Sequence, residues 1–305
     1  MRFELSSLID SELWSLVDSS RAFYAKRPAG RGPKSLDELR TFRVATAAPV
    51  ECDPPPSTEL VSADGRSVSV RIHEPVGMPA MSVFLEIHGG GFYMGSAAGS
   101  DFRNRRVVDA LCIAVVSVDY RLAPEHPWPS AANDCETAAL WLMEHAENRF
   151  GTTKLSIGGF SAGATLAVST LVRLRDRGGT AFSAGVLQFG TYDLAAQTPA
   201  GRVIADEYFL EAYAGTTADR THPDLSPLFA ALEGLPPVLI VVGSDDILLE
   251  DNLAMAARLS AAGVAVDLRI YPSAPHGFTG HATPMARAAR DHIDAWLQTQ
   301  LGSAN

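Results

Sequence analysis

The alternation of short apolar runs with helix-like segments limits most strongly what this chain can fold into. Strand-like runs at 82–87, 113–118, 155–158, 184–189, 238–242 and 266–270 are mostly apolar and only a few residues long. Runs of that kind suit strands covered on both faces, as in a parallel sheet. Between them, apolar residues recur at helical spacing over 101–111, 131–147, 162–175, 252–262 and 285–301, which supplies the covering layers. The predicted class is therefore α/β, with a mostly parallel sheet and helices on both faces. No internal repeat of about 20 to 50 residues is present.

Upstream of this alternation the chain reads differently. Apolar residues from Phe3 to Val17 recur at three and four residue steps, predicting an amphipathic helix, and Pro28, Gly30, Gly32 and Pro33 break it. Alternating segments at 60–62 and 67–72 flank Asp64-Gly65, the pattern of a hairpin with a tight turn. The stretch 191–226 is too long for an ordinary connection and carries Tyr192, Tyr208, Phe209 and Tyr213. It is expected to fold as an insertion over the sheet, forming a lid together with the first helix.

Charge and composition narrow the function. The formal net charge is −10, which repels a phosphate backbone and argues against nucleic acid as a partner. The longest apolar runs fall well short of the roughly 18 to 20 residues a membrane span needs. Glu4, Asp10, Glu12 and Asp18 interrupt the apolar residues at the amino end, unlike a secretory signal, so a cytoplasmic location is expected. Cys52, Cys112 and Cys135 are odd in number and widely spaced, which suits neither a disulfide framework nor a metal site. With no HExxH, Cys/His cluster or EF-hand loop, no metal or redox cofactor is implied.

Chemistry is concentrated at three places. Gly159-Phe160-Ser161-Ala162-Gly163 lies where an apolar strand meets a helix, the context a GxSxG elbow requires. There the serine hydroxyl projects above the sheet, and Gly159 and Gly163 let strand and helix approach. Taken alone, the same letters also describe a glycine-rich turn. His88-Gly89-Gly90-Gly91-Phe92 follows the first apolar strand directly. Consecutive glycines let main-chain N–H groups come close to a developing oxyanion, and Gly90, Gly91 and Ala162 are the predicted donors. A flexible loop or a phosphate loop is the competing reading, but Gly89, Gly91 and Gly95 miss the GxGxxG spacing.

A serine nucleophile needs an imidazole base and a carboxylate to orient it. Asp245 and Asp246 both follow the strand at 238–242, and His276 follows the next strand, with His281 and His292 further on. The order serine, acid, histidine matches an α/β-hydrolase arrangement. Either aspartate fits, and His281 is the alternative to His276.

Together, HGGGF, the segment Tyr120-Arg-Leu-Ala-Pro-Glu-His-Pro-Trp-Pro, GxSxG, Gly243-Ser-Asp-Asp and His276-Gly-Phe resemble the hormone-sensitive-lipase-like branch of the α/β-hydrolases over 60–300. The resemblance implies a serine carboxylesterase acting on short- to medium-chain esters through an acyl-serine. It matches Ser161 to the nucleophile, His276 to the base and Asp246 to the acid, because Ile247-Leu-Leu-Glu-Asp251 follows Asp246 in the family pattern. His88, Gly89, Gly159 and Gly163 correspond to its supporting motif residues. It also implies an α/β-hydrolase fold with a mostly parallel eight-stranded sheet, helices on both faces and a helical cap formed by 1–45 and 191–226 on a core of 46–190 and 227–305, and homodimers occur among its members. Phe160 and Ala164 depart from the family's usual Asp and Gly at those places, which implies an altered pocket or helix packing. Another acyl hydrolase such as an amidase, lactonase or lipase, or a silent small-molecule-binding module, fits the same pattern less directly.

Overall fold

The computed structural model describes residues 4–27, 32–46, 52–179, 181–205 and 207–302. Its centre is a sheet of eight strands: β1 (Ser57–Ala63), β2 (Arg66–His73), β3 (Val83–Ile87), β4 (Ala114–Val118), β5 (Leu155–Phe160), β6 (Phe182–Gln188), β7 (Val238–Gly243) and β8 (Val266–Tyr271). Their spatial order is β1-β2-β4-β3-β5-β6-β7-β8. β2 runs antiparallel to β1 and β4, and every other pairing is parallel. Ala63 pairs with Arg66, leaving a two-residue turn in which Asp64 (φ 51°) and Gly65 (φ 70°) are both left-handed. That is the twist a tight hairpin prefers and the reason Asp-Gly marks it.

The strands β3, β4 and β7 are buried at every residue, so successive side chains feed two separate cores. Leu85, Ile87, Val116 and Ile240 point into one core, with α4 (Ser130–Phe150), α5 (Ala162–Asp176) and α8 (Leu249–Ala261) packed over it. Phe84, Val115, Leu239 and Val241 point into the other, covered by α3 (Asp101–Leu111) and α9 (Pro284–Leu301). The expected helices are present, with α4 running on from 147 to Phe150, where Gly151 closes it in a left-handed conformation (φ 75°). No helix among the described residues is long and apolar enough to cross a membrane.

The amino-terminal segment departs from the single helix expected over 3–17. Two 3₁₀ turns, Leu5–Leu8 and Ser11–Leu16, lead into α1 (Val17–Tyr24). Ile9 is extended between the turns, and the Asp10 carboxylate accepts from Glu12 N at 3.1 Å, a local bond that competes with helix continuation. The apolar periodicity still serves burial, since Ile9, Leu13 and Val17 pack in the α9-side core. Phe3, Pro28 and Gly30 lie outside the described residues, and α2 (Leu36–Thr46) follows the break. In the stretch 191–226 the structure forms two short helices, α6 (Pro199–Val203) and α7 (Tyr208–Ala214). Tyr213 of α7 stacks on Phe92 with ring centroids 3.8 Å apart, and Phe209 lies 6.2 Å from Tyr93. α7 therefore packs on the HGGGF loop.

Candidate active site

Three loops at the carboxyl ends of β5, β7 and β8 meet. The β5–α5 turn places Ser161 at φ 54°, ψ −125°, a region non-glycine residues rarely occupy and surrounding contacts must hold. Ser161 N donates to Gln188 O at 2.9 Å, and Ser161 O accepts from Ala164 N at 2.9 Å. The flanking glycine is required by space: a Cβ on Gly163 would stand 2.0 Å from Ile87 O and 2.6 Å from His88 O. Only a residue without a side chain lets α5 begin so close to the end of β3.

His276 bridges the other two partners. Its Nε2 is 3.0 Å from Ser161 Oγ, and its Nδ1 is 3.0 and 3.1 Å from the two Asp246 carboxylate oxygens. A carboxylate only accepts, so Nδ1 carries the hydrogen and Nε2 is left to accept from the serine hydroxyl. The Asp246 side chain is fully buried, whereas that of His276 is 37% exposed, which leaves the Ser161 side of the imidazole open to a small molecule. Asp246 also accepts from Leu248 N at 2.9 Å. Asp245, the other aspartate, is exposed and accepts from Ser244 Oγ. His281 pairs with Tyr24 OH at 3.0 Å and His292 with Tyr271 OH at 2.9 Å, so neither meets an aspartate of this loop.

The HGGGF segment stands beside the serine in an unusual backbone form. Gly90 (φ 127°), Gly91 (φ 59°) and Phe92 (φ 65°) are consecutive positive-φ residues, and a Cβ on Gly90 would collide with Met94 O at 2.1 Å. Among the described residues, the N–H groups of Gly90, Gly91 and Ala162 make no hydrogen bond. His88 is buried, stacks on Tyr120 at 4.1 Å and lies with Nδ1 2.8 Å from Gly89 O. Burial holds its pKa below the usual histidine value, so it is a neutral brace. Tyr120 OH in turn donates to His88 O at 2.9 Å, and Ala123 N donates to Phe92 O at 3.0 Å. The YRLAPEHPWP segment thus anchors the glycine loop.

Some supporting residues were not identified by pattern. Asn252 Nδ2 donates to Gly190 O at 2.9 Å, and its Oδ1 accepts from Gly190 N at 3.1 Å. Asp251 accepts from Tyr192 N at 2.5 Å, and burial raises its pKa to about 7 against the opposing effect of those amide bonds. Both residues clamp the loop after β6, whose Phe189 ring stands 5.1 Å from His276. In the sequence Asn252 looks like an ordinary first-turn residue of α8 and Asp251 enters only as the end of the pattern that follows Asp246; burial reveals the clamping role of both. Phe160 points to the α3–α9 side of the sheet, under the Arg103 guanidinium at 3.9 Å.

A mostly parallel eight-stranded sheet with a serine turn, an acid and a histidine at its carboxyl edge defines the α/β-hydrolase class of fold. The comparisons with known proteins agree. A family profile described as "alpha/beta hydrolase fold" matches residues 84–280. The chain is similar to the carboxylic ester hydrolase LipN of Mycobacterium tuberculosis (strain ATCC 25618 / H37Rv), with 32% identity over 295 residues, 88% of this chain and 77% of LipN. It is 31% identical over 234 residues to the ethyl acetate hydrolase of Pseudomonas putida, covering 72% of this chain and 74% of that one. The solved structure of a bacterial heroin esterase superposes with a TM-score of 0.83 at 27% identity, over 96% of this chain and 100% of that one. The chain belongs to the hormone-sensitive-lipase-like, HGGG-motif branch of the α/β-hydrolases.

Proposed function

We propose that the chain is a serine carboxylesterase that cleaves short- to medium-chain carboxylic esters through an acyl-serine intermediate. In this reading Ser161 Oγ attacks the ester carbonyl while His276 Nε2 takes its proton, and Asp246 holds the imidazole in the required tautomer. The carbonyl oxygen becomes an oxyanion facing the N–H groups of Gly90, Gly91 and Ala162. Collapse breaks the ester C–O bond, and the departing alcohol takes the proton back from His276. Water then attacks the acyl-serine by the same route, releasing the carboxylic acid and restoring Ser161.

The observation that carries this reading is the 3.0 Å approach of His276 Nε2 to Ser161 Oγ, with Asp246 on the other nitrogen. Relatives named for ethyl acetate and heroin support small soluble esters as the substrate class. The segments 1–45 and 191–226 are proposed as the cap, on a core of 46–190 and 227–305; the packing of α7 on the glycine loop supports this. A net charge of −10 supports a small molecule in place of nucleic acid as the partner. The cytoplasm, from the mixed charge of the amino end, and a homodimer, from the family resemblance, complete the proposal.

The test is Ser161→Ala, assayed on p-nitrophenyl butyrate and with a fluorophosphonate probe. Turnover is expected to fall by more than about a thousandfold and labelling to vanish. Near-normal turnover in a folded Ser161→Ala variant would refute the assignment. Esters varied separately in their acid and alcohol parts then define the substrate range.

A further inference from the structure

On the side of the sheet covered by α3 and α9, three guanidinium groups converge behind the serine turn. Arg103 lies over Phe160, donates to Ser100 Oγ at 2.9 Å and stands 3.8 Å from Glu86. Arg106 pairs through both terminal nitrogens with Asp294, at 2.6 and 3.1 Å. Arg290 donates to the carbonyls of Thr279 at 2.6 Å and His281 at 3.3 Å, and has no carboxylate partner among the described residues. Glu86 already accepts from the hydroxyls of Ser100 and Ser117. Among the described residues only Glu86 and Asp294 stand within ion-pair distance of these three cations, while Asp291 acts on Arg290 from further off, in a chain whose overall charge is strongly negative.

The three arginines line a cleft of about 350 Å³. An inner pocket shares Arg103, Arg106, Thr279 and Arg290 with it and reaches Asn104 and Phe160. At this inner end Asn104 Nδ2 and Arg106 Nε are buried without a hydrogen-bond partner among the described residues, and Asn104 is only 2% exposed. Both atoms are donors, and a buried donor left unmatched is destabilising. Burial, then the repulsion of Arg106, holds Arg290 below the usual arginine range against the pull of Asp291 and Asp294. Burial does the same to Arg103, with Arg106 and Arg290 adding repulsion and Glu86 opposing it. A negatively charged acceptor in the cleft relieves both the unmatched donors and the crowded cations.

We propose that the cleft between α3 and α9 is a binding site for a small oxyanion, a carboxylate or a phosphate, held by Arg103, Arg290 and Asn104. Charge-assisted bonds from guanidinium forks suit either head group. The exposed ring of Phe102 on the cleft wall offers an apolar surface to an organic substituent. A ligand here rests against Phe160, which precedes Ser161, and beside Thr279, three residues beyond His276.

Isothermal titration of the full chain with inorganic phosphate and with butyrate, at constant ionic strength set by chloride, tests the site. The expected result is saturable millimolar or tighter binding of at least one of them, weakened at least tenfold by Arg290→Gln and by Asn104→Leu. Binding of phosphate alone, butyrate alone or both supports the site and identifies the head group. Titrating enzyme already blocked by a fluorophosphonate separates this cleft from the Ser161 site, because binding in the cleft persists after blocking. The proposal is overturned if neither anion binds, if folded variants bind as tightly as the parent, or if blocking abolishes binding.

Discussion

Two adjacent aspartates, Asp245 and Asp246, differ by one position in the chain and by everything in their surroundings. Asp246 is buried against His276 Nδ1, and Asp245 faces solvent. Replacing Asp246 by Asn removes the negative charge and puts an NH2 donor in place of one acceptor oxygen, which favours the wrong imidazole tautomer, so turnover of p-nitrophenyl butyrate is expected to fall about 10⁴-fold. Asp245→Asn, checked for folding by circular dichroism in parallel, should stay within a few-fold of the parent. A reversed ranking assigns the acid role to Asp245. Asp251 makes a separate prediction through its raised pKa of about 7. The folded state holds its proton more tightly than the unfolded state does, so between about pH 4 and 7 folding takes up a proton at this site. Its contribution is full below the unfolded pKa and is lost as pH rises through 7. Parent protein should therefore lose stability relative to Asp251→Asn from pH 5 to pH 8, by no more than about 1.4 kcal/mol per pH unit. Urea midpoints of the two proteins across that range provide the check, and parallel curves would contradict the shift.

At the scale of elements, α7 is seated by aromatic packing, with the Tyr213 ring stacked on Phe92. The Tyr213 hydroxyl is buried with no hydrogen-bond partner among the described residues. Tyr213→Phe removes that unmatched group and keeps the ring, so thermal unfolding should show no loss of stability. Tyr213→Ala empties the stack and is expected to cost about 3 to 5 kcal/mol. Equal losses in the two variants would mean that the hydroxyl is bonded after all. Elements of this kind were the least legible in the sequence. The core strands and helices were readable because burial on both faces imposes apolar runs, and α3 begins and ends where its periodicity does. The amino-terminal segment has the same periodicity but folds as 3₁₀ turns, because the Asp10 side chain bonds to the Glu12 amide and Ile9 breaks the run. In 191–226 the aromatic residues signalled packing, while the short α6 and α7 carry too few turns to leave a clear period.

At the scale of the whole molecule, α1 near the amino end packs behind the histidine loop. Ser20 Oγ of α1 donates to Ser273 O at 3.2 Å, Arg21 Nε to Ser273 Oγ at 3.1 Å, and Tyr24 OH pairs with His281. Removing residues 1–27 leaves the sheet intact but frees the loop that carries His276, and small displacements of a reacting group are costly. At least a tenfold drop in turnover is expected, with faster amide hydrogen exchange confined to 273–281. Unchanged exchange there would show that α1 does not brace the loop. The order of amino acids alone determined the α/β class, the serine turn, the glycine loop and a short set of acid and histidine candidates. All of these are written in residues close together in the chain, where backbone geometry and burial act within a few positions. The family pattern pointed to Asp246 and His276, but only the tertiary structure showed Asp246 bonded to His276 and His276 to Ser161, with Asp245 and His281 turned elsewhere, and only it gathered Arg103, Arg106 and Arg290 around one cleft. Those choices rest on contacts between residues far apart in the chain, 115 positions at Ser161–His276, 188 at Arg106–Asp294 and 257 at Tyr24–His281. Which of two chemically equal neighbours turns inward is decided by the packing of the parallel strands and the loops at their ends.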